Sequence, residues 1–180
     1  HWMELSTPAA EKAISRIRNT GAIIRAQAPL IRHINDKPEV WSRMWQDEVS
    51  LGIVPYYMFI ERNTGAENYF ALPLANALNI FIDSYKRVSG LSRGVRGPVM
   101  SANPGKIRIE GTAEIKGEKV FVLNLLQARN PEWVRKPFFA KYDETSTWFD
   151  QLDPAFGEEK FFFQDELDQM LDSKSDFTII

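Results

Sequence analysis

The sequence predicts an α/β fold, an open piece of a wound or barrel arrangement rather than a closed one. Two observations carry this. Up to about Gly90, helical and strand patterns alternate, helix before strand each time, and the strands they supply are too few to close a barrel. After Gly90 the pattern changes to short strands broken by Gly94, Gly97, Pro98, Pro104 and Gly105.

The elements follow in order. Thr7-Pro8 opens the first helix, with Thr7 able to cap and Pro8 preset at the first helical position. Ala10, Ala13, Ile14 and Ile17 give it one apolar face, and Gly21 closes it. Ala22–Ile31 is a mostly apolar run that reads as a buried strand and its exit. Asn35-Asp36 before Pro38 marks a second helix start, and Gly52 ends that helix. Its apolar face is Val40, Trp41, Met44, Trp45 and Val49. Ile53–Ile60 is dense in β-branched and aromatic residues, as buried strands are. Asn63-Thr64-Gly65 is a turn, and a third helix begins near Pro73 with Leu74, Leu78, Ile82 and Tyr85 in register. Short strands follow around Val99–Ala102 and Lys106–Glu110, and Lys116-Gly117 suggests a hairpin into Lys119–Leu126. From Asn130 the chain reads as an irregular extension wrapping a core, ending in a short helix near Asp165–Leu171.

Composition narrows the function classes. At 180 residues, with 44% apolar and 26% charged residues, the chain suits one soluble core with an appendage. A net charge of −2 provides no basic field for nucleic acid or an anionic membrane. The tail segments Gln127–Trp133 and Lys136–Tyr142 interleave basic and aromatic residues, but neighbouring acids dilute them, so packing or subunit contact is expected there. There is neither a membrane-length apolar run nor a signal-peptide layout, and the cytoplasm is the expected compartment. No cysteine is present, which excludes disulfides, a thiolate nucleophile and thiolate-held iron–sulfur clusters on this stretch. With only His1 and His33, no metal site is expected.

Several short pieces resemble one family, in order and at compatible distances. Gly21 through Gln27 to Asn35-Asp36 resembles the strand and turn of lysine 2,3-aminomutases, where a glycine, a glutamine and an Asn-Asp pair bracket an apolar strand. His1–Thr7 resembles the stretch after the preceding barrel strand of that family. Pro55-Tyr56-Tyr57-Met58-Phe59 resembles its Pro-Tyr-Tyr strand, and Tyr69-Phe70 stands where it has His-Phe. Pro104-Gly105-Lys106 resembles a shortened form of its Pro, glycine-run, Lys motif. The resemblance covers residues 1–110. It implies the C-terminal portion of an open, partial TIM-type barrel over residues 1–110, with an irregular α+β extension over 111–180. It implies an amino-acid 2,3-aminomutase using S-adenosylmethionine, a [4Fe–4S] cluster and pyridoxal phosphate. In the family three cysteines hold the cluster, so the absence of cysteine here implies either a missing N-terminal half or a degenerate remnant. Association with that half and with further copies of the chain is expected.

Lys106 is the candidate catalytic and cofactor-binding residue. A Schiff-base lysine needs an amine that can lose its proton where backbone can approach a phosphate-bearing cofactor; Gly105 removes bulk beside it and Pro104 fixes the approach. The same tripeptide also reads as a turn with a solvated lysine. Gln27, in an apolar strand where an unpaired amide would be costly, is carried over as a cofactor contact, or is simply bonded to backbone. Phe59 is carried over as an aromatic near the pyridine ring, or is core. His1 is carried over as a contact to S-adenosylmethionine, or is a tag remnant before Met3.

The substrate positions depart from the family. Where the lysine enzymes use two aspartates for the distal ammonium, this chain offers Arg62 (Asn63 after a one-residue slip) and, at the second place, Ser101, Ala102 and Asn103. Arg62 can pair bidentately with a carboxylate, so a glutamate-like substrate is expected, unless Arg62 is a solvated loop residue. Two rivals stay open: a non-catalytic accessory protein derived from the family, and a pyridoxal-phosphate binder without radical chemistry.

Overall fold

The computed structural model describes residues 2–62 and 66–175, so His1, Asn63 and the expected 63–65 turn lie outside the described residues. Two short N-terminal helices, α1 (Trp2–Leu5) and α2 (Pro8–Arg18), precede β1 (Arg25–Leu30). Thr7 does cap α2, its Oγ1 accepting from the Ala10 amide at 3.2 Å. Then come α3 (Pro38–Ser50), β2 (Val54–Ile60), α4 (Glu67–Phe70), α5 (Leu74–Lys86) and β3 (Arg96–Ala102). An antiparallel run follows: β4 (Gly105–Ile115), β5 (Glu118–Ala128) and β6 (Pro137–Lys141), with α6 (Gln164–Ser175) last. Among the described residues no helix is long and apolar enough to cross a membrane.

The six strands form one open sheet in the order β1-β2-β3-β4-β5-β6. β1, β2 and β3 run parallel, as strands joined by crossover helices must, and the rest pair antiparallel. Lys116 and Gly117 turn β4 into β5 with φ of 53° and 80°, the doubly positive pair of a two-residue hairpin loop. β6 was not expected: Pro137 at its start and Lys141 at its end hide a five-residue strand that pairing with β5 creates.

One face of the sheet is apolar and covered. Met58, Ile60, Met100, Ile107, Phe121 and Leu123 pack in one cluster with Trp41 and Trp45 of α3, Leu74 and Phe81 of α5, and the tail residues Phe149 and Phe163. Residues of the opposite parity, including Gln27, Tyr57, Phe59, Ser101 and Lys106, therefore share the other face.

Two local expectations are corrected by this arrangement. Ala22–Ile31 is not a buried strand: β1 alternates and only Leu30 is buried, because β1 is an edge strand with one uncovered face. α3 does begin at Pro38, just after Asn35-Asp36, with Lys37 at its cap position. Asn35 is buried and clamps the exit of β1, its Oδ1 accepting from the Ile31 amide (2.7 Å) and its Nδ2 donating to the Pro29 carbonyl (2.9 Å). Along α5 the buried line runs through Leu78, Phe81 and Ser84, leaving Ile82 36% exposed. Repeated four-residue steps drift around a helix of 3.6 residues per turn, so a three-residue step must return the stripe to the core.

Candidate functional site

In open α/β sheets ligands gather at the carboxyl ends of the parallel strands, and here three adjoining hollows meet there at Ser101. A cavity of 460 Å³ is lined by Gln27, Pro29, Phe59, Glu61, Arg62 and Ser101. One of 570 Å³ runs from Arg62, Ser101 and Asn103 to Trp148, Asp150, Phe161 and Gln164 of the tail. A third, of 300 Å³, is bounded by Ser101, Asn103, Gly105, Lys106 and Gln127. Five of the residues singled out in the sequence, Gln27, Phe59, Arg62, Asn103 and Lys106, thus border one trough.

Lys106 sits near the start of β4, opposite Ser101 of β3 and Gln127 of β5. Its half-buried side chain lies over aromatic surface, with Nζ 4.7 Å from the Tyr57 ring centroid and 5.8 Å from that of Phe59. Those two rings stack at 4.9 Å and 29°. Gly105 is what lets β4 come this close to β5: at φ +148°, a Cβ there would lie 2.1 Å from the Gln127 carbonyl oxygen. The donor set fits a pyridine aldehyde, since an amine with no acid paired to it among the described residues stands beside two aromatic rings that can pack a flat heterocycle.

Gln27 departs from its expected setting. It is exposed on the uncovered face, so its amide bears no desolvation cost. Asn103 is exposed too, and its carbonyl accepts from Arg129 Nε at 2.6 Å.

The sequence reading missed four residues that the fold brings beside Lys106. Tyr57 is 2% exposed and was within reach of period-two reasoning, because it lies two residues before Phe59 on the same face. Its neighbour Tyr56 packs edge to face against it at 4.4 Å. Arg96 Nη1 donates to the Tyr57 hydroxyl at 3.3 Å and to the Tyr56 hydroxyl at 3.4 Å, and Arg25 lies 5.2 Å from the Tyr56 ring centroid. Desolvation pushes the Tyr56 phenol up, but hydrogen bonding with Tyr57 and the charges of Arg96, Arg25 and Lys106 outweigh it and hold the phenol below the usual tyrosine range. No local signal marks Arg25 or Arg96, which begin different strands.

No family model matches the chain. The chain is 31% identical, over 160 residues, to a protein of Aquifex aeolicus (strain VF5) described as "Putative L-lysine 2,3-aminomutase". The aligned stretch covers 89% of this chain and 41% of that relative, so the chain spans less than half the length of the protein it matches. The resemblance carried by the short motifs is borne out by this match over 160 residues.

Proposed function

We propose, from this chain's homology with a lysine 2,3-aminomutase-like protein, that it carries the pyridoxal-phosphate-holding and substrate-holding part of an amino-acid 2,3-aminomutase. The single observation behind this reading is the Lys106 amine over the Tyr57 and Phe59 rings, on the uncovered face and beside the strand ends. The sheet as far as Glu110, within β4, is then the C-terminal part of an open barrel, its uncovered face the barrel interior, and residues 111–180, which finish β4 and add β5, β6 and the tail, are the extension. The remainder of the barrel covers that face, in a cytoplasmic assembly with further copies of the chain.

Pyridoxal phosphate supplies, when bound, the conjugated system across which an amino group moves from the α to the β carbon. Lys106 would hold it and take up and return a proton at Nζ. Phe59 and Tyr57 would pack the ring and exclude water, and Gln27 would orient polar groups at its edge. Cluster ligation needs thiolates, and this chain has none, so hydrogen abstraction is assigned to no residue here.

At the other end of the trough Arg62 and Asn103 border the 570 Å³ cavity. Arg62 there favours a substrate with a side-chain carboxylate, glutamate rather than lysine. A second reading, a cationic side chain, is favoured by Asp150, which borders the same cavity.

Borohydride reduction with pyridoxal phosphate, followed by peptide mapping, tests the cofactor lysine. The label should fall on the peptide containing Lys106 and vanish in Lys106→Met. Label elsewhere, or none in folded protein, defeats the assignment. Turnover of glutamate but not lysine by the complete enzyme, weakened roughly tenfold or more in kcat/KM by Arg62→Gln, is expected on the carboxylate reading; turnover of lysine alone establishes the Asp150 reading instead.

A further inference from the structure

The cationic cluster beside Lys106 has a chemistry of its own. The Arg96 guanidinium lies 4.9 Å from the Tyr56 ring centroid and 5.7 Å from that of Tyr57, Arg25 is over Tyr56, and Lys106 Nζ is over Tyr57. Some cations of this protein meet acids: Arg108 pairs with Glu110, Arg87 with Glu39, Arg43 with Asp47. Among the described residues Arg25, Arg96 and Lys106 meet none. Three positive charges held around two phenols repel one another, and no carboxylate among the described residues pairs with them.

We propose that Arg25, Arg96 and the hydroxyls of Tyr56 and Tyr57 form an anion site that takes a phosphate monoester. The charges decide between anions. Once Lys106 is committed to a carbonyl partner, two guanidinium charges remain, which match the dianion of a phosphate ester and exceed a single carboxylate. Arg96 offers a planar fork and the two phenols offer further donors, a set suited to three equivalent oxygens. Arg25 and Arg96 are exposed, so a ligand on the uncovered face can reach them.

The ligand's identity, though not the site's existence, rests on the function proposed above. In pyridoxal phosphate the aldehyde and the phosphate arm stand on neighbouring ring carbons, so a group that holds one must lie about a ring's width from the group that holds the other. Lys106 and Arg96 both lie against the Tyr57 ring, 4.7 and 5.7 Å from its centroid, so a ligand spanning that ring can touch both.

Titration calorimetry of the whole chain with inorganic phosphate, and with glutarate as the carboxylate probe, tests the site. Phosphate should bind more tightly than glutarate, and Arg96→Gln and Arg25→Gln should each weaken it about tenfold with an unchanged circular dichroism spectrum. No phosphate binding, equal binding by both variants, or a preference for glutarate overturns the proposal. Comparing borohydride labelling by pyridoxal phosphate with labelling by pyridoxal separates this idea from the function it deepens. Arginine-dependent phosphate binding with no label on Lys106 leaves the anion site standing and the cofactor lysine fallen. Label on Lys106 that is indifferent both to the phosphate group and to Arg96→Gln does the reverse.

Discussion

Glu48 is a charge in the wrong place by composition alone. It follows Met44 by four residues and Trp45 by three, so α3 carries it onto the buried face, where it is 5% exposed and its Oε2 has no hydrogen-bond partner among the described residues. Burial pushes its carboxyl up from the ordinary 4.5 to about 7. The folded protein then holds a proton that the unfolded chain releases between those two values. The contribution of this group to stability is therefore fully present below about pH 4.5 and is lost as pH rises towards 7. The loss has an upper bound of about 3.5 kcal/mol, because each tenfold difference in proton affinity between the folded and unfolded chain is worth about 1.4 kcal/mol. Glu48→Gln should stabilise the protein at pH 8 by up to that amount and change little at pH 4, read from urea unfolding at both pH values. An equal effect at both would show that the carboxyl is not held protonated.

At the scale of elements, the β4–β5 pair positions the candidate lysine. Its register slips between Lys106 and Ile107, and Gly105 lies against the backbone of Gln127 and Ala128 just before the slip. Backbone cannot swing aside as a flexible side chain can. Gly105→Ala should cost about 3 kcal/mol and reduce labelling of Lys106 together with stability. Gly111, further along the same strand, has nothing within 4 Å of a Cβ, so Gly111→Ala serves as the neutral comparison. Retention of full stability by Gly105→Ala would mean that the close approach is not what holds the strands.

At the scale of the molecule, the tail and the helices complete one core. Phe138 of β6 touches the rings of Phe149, Phe161, Phe162 and Phe163 at centroid distances of 6.2, 5.5, 6.0 and 5.3 Å, and joins the sheet to the segment that borders the 570 Å³ cavity. Phe138→Ala should lower unfolding free energy by about 3–5 kcal/mol, and should raise access of protease to the chain around Trp148. A loss below about 1 kcal/mol would show the tail to be packed loosely on the sheet.

The alternation of helices and strands up to Ala102, the Thr7 cap and the Lys116-Gly117 hairpin were legible from residues alone, because periodicity, capping and turn chemistry act between near neighbours. So were Lys106, Gln27, Phe59, Arg62 and Asn103 as marked positions, through their motifs. Tertiary structure decided the rest. It made β1 an edge, so its apolar composition did not mean burial, and it turned α5 so that Phe81 and Ser84 rather than Ile82 meet the core. It gave Asn35 three backbone and indole partners, and it drew Arg25 and Arg96 from separate strands to one pair of tyrosines. Such outcomes depend on which face of a sheet is covered and which strands lie side by side, and those contacts join residues too far apart in the chain to leave a local pattern.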